Sequence, residues 1–324
     1  MTEPSIPAAR LPLSARAPGK CIVFGEHAVV HGRPELVLAI DLVTQVVARA
    51  GEIPRLEGDT EAARSHPYLA EALRRLWPEG SEPLEWTTIS RIPRAAGLGS
   101  SAAFTAAVAT ALLAARGGAD RSILAEQSFA IERAAQGVGS PGDTSASVAG
   151  GLVAVNGGQG PPLWELQHGD QRWLVRRVRD PGWVWLVAYS GVPRSTPDAV
   201  RAVGRRLAEP DGPKLLDAFD EIARQGIDAV QREERSETGR WMNENQRLLR
   251  EVGVSHPRLE TLLDAVGPAA EGAKLTGAGA GGSIVVLPKL GREVEAQRRI
   301  ERAGGRPFVV RAAPTGAELV LAPR

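Results

Sequence analysis

Residues 93–103 read PRAAGLGSSAA. The stretch Leu84 to Ile92 before them alternates enough to predict a strand, and the Ala-rich stretch running on to Ala115 predicts a buried helix. The glycine loop therefore sits between a strand and a helix. Glycines at 97 and 99 let backbone N–H groups turn inward, and the helix that follows points the positive end of its dipole at the loop. Gly97, Leu98, Gly99, Ser100 and Ser101 thus form a candidate anion site suited to phosphates. Taken alone, the same residues serve equally as a glycine-rich helix entry with Ser100 or Ser101 as N-cap. No Gly-x-x-x-x-Gly-Lys-Ser/Thr string occurs, and no acidic residue ends a following strand where a dinucleotide fingerprint needs one.

Upstream, Cys21 to Phe24 and Leu36 to Ala48 are rich in Val, Ile and Leu and predict strands, with GEHAVVHGRP (25–34) between them. Residues 1–14 read as a loose arm. Residues 60–77 have helical spacing, and a second helix spans about Asp120 to Gln136 with Asp120 as its N-cap. GVGSPGDTSAS (137–147) follows. Trp183 to Tyr189 reads as a buried strand, 197–250 as charged helix, and Pro257 to Val266 as a further helix. KLTGAGAGGSIVVL (274–287) is a glycine loop before a strand, so its G-x-G-x-x-G match is not a dinucleotide fingerprint, which must open a helix. Gly291 to Ala303 predicts a helix, and Phe308 to Arg311 and Glu318 to Leu321 predict closing strands. The Gly/Pro/Gln-rich stretch and strand between Asn156 and Val192 hold the expected domain boundary, giving units 1–182 and 183–324.

Composition bounds the function. The chain has 324 residues, 43% hydrophobic, 24% charged, with a net charge of +1. A chain of about 300 residues buries roughly three quarters of its unfolded surface, enough for a large core. Near-neutral charge argues against a nucleic-acid binder. One cysteine, Cys21, excludes an internal disulfide framework or a multi-thiolate metal site. MTEPSIPAAR shows no secretory signal and the longest apolar run, Ala102 to Ala115, is too short to span a bilayer, so the expectation is a cytoplasmic protein with no membrane partner.

Individually, the polar candidates have plain structural readings. Lys20 before an apolar strand fits a solvated edge, Glu26-His27 a capped loop, Glu132 a pair with Arg133, and Asp143 an N-cap before TSAS. Their order along the chain is what carries information. PGKCIVFGEHAVVHG (18–32), PRAAGLGSSAA (93–103) and KLTGAGAGG (274–282) resemble the three ordered motifs of the GHMP kinase superfamily, and GEHAVVHG is similar to its mevalonate kinase family. The spacing from Glu132 to Asp143, GVPRST (191–196) and MNENQRLLREVGVSH (242–256) extend the resemblance, which covers about Ala15 to Leu287.

The resemblance implies an α+β, two-domain fold: an N-terminal unit like the second domain of ribosomal protein S5, a C-terminal ferredoxin-like unit, and the active site in the cleft between them. It implies an ATP-dependent kinase that phosphorylates the 5-hydroxyl of (R)-mevalonate in isoprenoid biosynthesis, with Mg²⁺ as its cofactor and a homodimer as its assembly. By position, Asp143 matches the catalytic carboxylate and Lys20 the lysine that pairs with it. Gly97 to Ser101 match the phosphate loop, and Ser101 and Glu132 the metal ligands. His27, Arg194 and Thr196 match substrate-side residues, and Gly277, Gly279 and Gly281 a glycine loop near the site. Phosphomevalonate kinase, mevalonate 3-kinase and a non-catalytic regulator of this fold are the alternatives; the last should lack Lys20, Asp143 or the metal carboxylate, and all are present. Ala278 and Ala280 stand where many members have glycine. Glu35 replaces a usually small apolar residue, where it would alter the subunit surface or the substrate entrance.

Overall fold

The computed structural model describes residues 11–58, 60–137, 139–193 and 196–321. The first unit is built on two long antiparallel strands, β1 (Leu13–Phe24) and β2 (Glu35–Ala50). After them come β3 (Arg55–Leu56), α1 (Thr60–Ser65), α2 (Pro67–Leu76), β4 (Leu84–Ser90), α3 (Ser100–Ala115), α4 (Arg121–Gln136) and α5 (Pro141–Ala149). Strands β5 (Leu152–Val155), β6 (Pro162–His168) and β7 (Gln171–Val178) complete this part of the chain. The second unit contains β8 (Trp185–Tyr189), α6 (Thr196–Leu207), α7 (Gly212–Gln231), α8 (Arg235–Glu251), α9 (Pro257–Val266), β9 (Ala270–Thr276), β10 (Ser283–Pro288), α10 (Glu293–Arg302) and β11 (Arg306–Val310). Finally β12 (Glu318–Val320) returns to the first sheet and pairs with β1.

The first sheet runs β12-β1-β2-β5-β7-β6, with β4 also pairing β2 and β3 pairing β4. The second runs β11-β8-β10-β9, all antiparallel. Numbered within their unit, those strands lie in the order 4-1-3-2 around the helices, which is the ferredoxin-like arrangement. The expected division after residue 182 falls just before β8, while β12 lies in the first sheet although it follows the second unit in sequence.

Local chemistry explains most of these elements. Helix α3 is apolar on nearly every side and is accordingly buried, lying against β1, β2, α4 and α5. Asp120 caps α4, accepting from the N–H groups of Ser122 (2.9 Å) and Ile123 (3.0 Å). The helix expected over 60–77 is broken at His66, whose backbone is extended (φ −72°, ψ 106°) because Pro67 disfavours a helical residue before it. The charged helical region over 197–250 is three helices. Part of the expected arm is strand, since Leu13 and Ser14 open β1. The β6–β7 hairpin occupies the stretch read as a boundary; Trp164, Leu166, Trp173 and Val175 bury one face of it.

β1 is covered on both faces, by α3 and α5 of its own unit and by α7 and α8 of the other. Thr276 at the end of β9 joins the units as a strand would: its Oγ1 accepts from the Ile22 N–H (2.7 Å) and donates to the Ile22 carbonyl (3.1 Å). Ser283 Oγ donates to the Ala96 carbonyl at 2.7 Å, tying β10 to the phosphate-loop segment. Gly226 on α7 faces the Phe24 ring, and a Cβ there would lie 2.5 Å from ring carbons. Gly226→Ala gains about 0.5–1 kcal/mol of helix propensity but overpacks the contact at about 1–3 kcal/mol. A net fall in the thermal midpoint is expected, with partial recovery on adding Phe24→Leu.

Candidate active site

Two cavities adjoin, the larger lined by the first unit and the smaller by both units. The larger, about 800 Å³, is bordered by His66, Tyr68, Gly97, Gly99, Ser100 and Ser101 among others. The smaller, about 280 Å³, is bordered by His27, Val30, Ser140, Val203, Gly277 and Ala278. Lys20, Glu132, Gln136 and Asp143 border both. A large ligand and a small one placed in these cavities would face each other across those four side chains.

The phosphate-loop candidate has the geometry its glycines permit. Gly97 (φ 81°) and Gly99 (φ 73°) are left-handed. Gly99 stands at the N-cap of α3 with no side-chain cap, so the first-turn N–H groups are left for another acceptor. Neither serine caps the helix. Ser101 Oγ instead donates to Glu132 Oε1 at 2.8 Å. The loop is fastened to β1, because Lys20 N–H donates to the Leu98 carbonyl (2.9 Å). A Cβ on Gly99 would come within 2.7 Å of Lys20 Cγ, so only glycine lets the lysine stem pass.

Lys20 is not a solvated edge residue. Its side chain is 1% exposed and its Nζ lies 2.7 Å from Asp143 Oδ1. Asp143 is not the N-cap of its helix: Ser140 is, accepting from the Gly142 N–H (3.2 Å), and Asp143 projects from the first turn of α5. Glu132 on α4 is buried and unpaired with Arg133. Gln136 Nε2 shares its Oε1 at 3.1 Å, and Oε2 has no partner. Burial, and then the charge of Asp143, push the Glu132 carboxyl up to about 7.

Glu26 and Lys274 form a fully buried ion pair across the two units, and Lys274 Nζ also donates to the Leu275 carbonyl at 2.8 Å. Burial raises the Glu26 carboxyl and lowers the Lys274 ammonium, so each charged form depends on the other. His27, at φ 65°, lies on the small cavity with Nε2 3.1 Å from the Ala278 carbonyl oxygen. In the glycine loop, Gly277 borders the small cavity. Gly279 and Gly281 are instead approached by the protein's own backbone: Val254 O leaves no room for a Cβ on Gly279, and Val192 O would lie 3.0 Å from one on Gly281. Arg194 lies outside the described residues, and the side chain of Thr196, which opens α6, is likewise not described. Glu35 is on no subunit surface; it is fully buried on the wall of the small cavity.

Among the described residues, no three His, Cys, Asp or Glu side chains gather as a metal site, and no helix is long and apolar enough to cross a membrane. Ser101 and Glu132 can offer two oxygens, one of them the orphaned Glu132 Oε2. That suits a hard cation whose other ligands are phosphate oxygens and water.

Comparison with known proteins agrees with this arrangement. The family model for the GHMP kinases N terminal domain matches residues 65–151, and that for the GHMP kinases C terminal matches residues 227–306. A mevalonate kinase of Archaeoglobus fulgidus is 32% identical over 85% of this chain and 92% of its own length. One of Aeropyrum pernix is 33% identical over 94% and 97%. The chain belongs to the GHMP kinases, with the mevalonate kinase family.

Solved structures show how widely the kinase fold is shared. An L. major mevalonate kinase in complex with R-mevalonate has a TM-score of 0.76 at 23% identity, covering 93% of this chain and 96% of that one. A Streptococcus pneumoniae phosphomevalonate kinase reaches 0.73 at 17% identity, covering 96% and 100%. The backbone is common to GHMP kinases of different acceptors, and sequence identity is what separates them.

Several residues of this kinase site escaped the sequence reading: Gln136, Ser140, and the pairing of Glu26 with Lys274. Breaking a buried pair from one side costs about 3–5 kcal/mol. Glu26→Gln and Lys274→Met are each expected to lower unfolding free energy on that scale. The double variant should lose less than the sum, as read by urea denaturation; additive losses would mean the pair is not coupled.

Proposed function

We propose that this kinase transfers the γ-phosphoryl group of ATP to the 5-hydroxyl of (R)-mevalonate, giving 5-phosphomevalonate and ADP. The observation that carries the reading is the Lys20–Asp143 pair standing where the two cavities meet. The names of the most similar relatives supply the acceptor, and the mevalonate bound to the L. major protein supports it.

Phosphoryl transfer asks the protein for in-line positioning and charge stabilisation more than for covalent chemistry. In this reading the open N-terminus of α3, with Gly97 to Ser101, receives the nucleotide phosphates in the larger cavity. The acceptor occupies the smaller cavity, with His27 on its wall. Its 5-hydroxyl oxygen bonds to the γ-phosphorus while the bond to the β,γ-bridging oxygen breaks and leaves with ADP. The hydroxyl proton passes to Asp143. Lys20 holds Asp143 in place and faces the developing negative charge. Ser101 and Glu132 would hold Mg²⁺, which when bound neutralises phosphate charge. Arg194 and Thr196 belong to the acceptor side on the same reading, and the glycine loop at 277, 279 and 281 lies near the site. We read the enzyme as a cytoplasmic homodimer, which sedimentation equilibrium tests.

With ATP, Mg²⁺ and (R)-mevalonate, one ADP is expected per phosphomonoester formed, and ³¹P and ¹H NMR should place the phosphate on the 5-oxygen. Phosphorylation of the 3-hydroxyl, or turnover only with phosphomevalonate, would discard the acceptor assignment. Asp143→Ala should lower kcat by about 10²–10⁴ if the carboxylate takes the proton; near-unaltered turnover would remove that role. Glu132→Gln is expected to raise the Mg²⁺ concentration needed for half-maximal rate. An unmoved Mg²⁺ dependence would rule Glu132 out as a ligand.

A further inference from the structure

Glu35 opens β2 and its side chain is fully buried on the wall of the smaller cavity. One oxygen, Oε2, accepts from Ser140 Oγ at 3.0 Å. The other, Oε1, is buried with no partner. Ser140 is the N-cap of α5, so the same hydroxyl that donates to Glu35 accepts from the Gly142 N–H at 3.2 Å. A Cβ on Gly142 would overlap Glu35 Oε2 and lie 2.7 Å from Val37 Cγ2. The carboxyl is therefore wedged under the first turn of α5, the turn that carries Asp143.

Among the described residues, its charged surroundings offer it no cation of its own. From α5 it faces Asp143, from β1 Lys20, from the loop after β1 Glu26, and from β9 Lys274. Lys20 is paired with Asp143, and Lys274 with Glu26. His27 and His31 border the same cavity. A carboxylate in this position would be a buried anion beside another anion, with both nearby ammonium groups engaged.

We propose that Glu35 is a positioning residue for the transfer: as an uncharged carboxylic acid it holds the first turn of α5, and with it Asp143, through Ser140, and an anionic acceptor enters the small cavity only while Glu35 is uncharged. Burial and then the nearby Asp143 push its carboxyl well above the usual carboxylate range, the direction that favours the uncharged form. Raising the pH through its ionisation adds a negative charge to the cavity wall. An acceptor that carries its own carboxylate is then repelled, while a nucleotide in the other cavity is less affected because it is farther from Glu35. The inference rests on the proposed acceptor being mevalonate, whose carboxylate is the repelled group.

The test is a pH series of KM for mevalonate and for ATP, with the unaltered kinase, Glu35→Gln and Glu35→Ala. For the unaltered kinase, KM for mevalonate should climb about tenfold per pH unit beyond the ionisation while KM for ATP stays level. Glu35→Gln keeps an acceptor for Ser140 and cannot ionise, so the part of the climb that belongs to Glu35 should vanish, leaving only what Glu132, common to all three forms, contributes. Glu35→Ala removes that acceptor and should lower kcat about tenfold relative to Glu35→Gln at every pH. An alkaline climb undiminished in Glu35→Gln would overturn the charge requirement. Equal kcat in the Gln and Ala variants would overturn the positioning role, and the Gln series decides the first point even if the Ala variant does not fold. No turnover of mevalonate by the unaltered kinase would instead overturn the acceptor assignment itself, and this inference with it.

Discussion

A buried ammonium group is the constraint on which this site depends. Lys20 emerges from the middle of β1 with its side chain almost wholly out of solvent. An unpaired charge there would cost several kcal/mol, so the fold must bring an anion to it. Asp143 is that anion, and supplying it requires the first turn of α5 to lie against β1. The backbone of the same lysine grips the phosphate loop through Leu98, and its stem passes the bare Cα of Gly99. One residue thereby sets the spacing of a strand, a loop and a helix around the point where the cavities meet.

The second buried pair does for the two units what the first does inside one of them. Glu26 and Lys274 are 248 residues apart in sequence and meet with no solvent between. Beside them Thr276 satisfies both backbone groups of Ile22, so β9 ends against β1 with its polar groups matched. The glycine loop that follows is packed on Val254 and Val192, and its narrowness serves that packing first. The Arg–Asp and Arg–Glu pairs on the exposed faces of α7, α8 and α10 are of another kind: solvated, and individually worth about 0–1 kcal/mol.

The small cavity collects carboxyl groups beyond what its cations can neutralise. Glu26, Glu35, Glu132 and Asp143 border it, and of the ammonium groups only Lys20 does so directly. Burial relieves part of the excess by raising the Glu35 carboxyl well above the usual carboxylate range and bringing Glu132 to about 7. The remaining negative charge suits a site in which a cation accompanies phosphate, and it makes admission of an anionic acceptor sensitive to each carboxyl on the wall.

Much of this architecture was legible along the chain. Helix α3 announces itself by a mostly apolar, Ala-rich run broken by Thr105 and Thr110, α4 by its Asp120 cap, and the three glycine motifs by their order. These signals are local, because propensity, capping and turn chemistry act over a few residues. What stayed hidden was non-local. The β6–β7 hairpin lies in a polar, Gly- and Pro-rich stretch, and β12 is three residues whose strand character comes from β1 beside them. Asp143 looked like a helix cap until folding placed Lys20 against it, and Glu35 looked like a surface substitution until β2 carried it under α5. Which residues can bind phosphate and carry charge is readable along the chain. Which of those charges are buried together is not, because burial and pairing depend on elements brought side by side from distant parts of it.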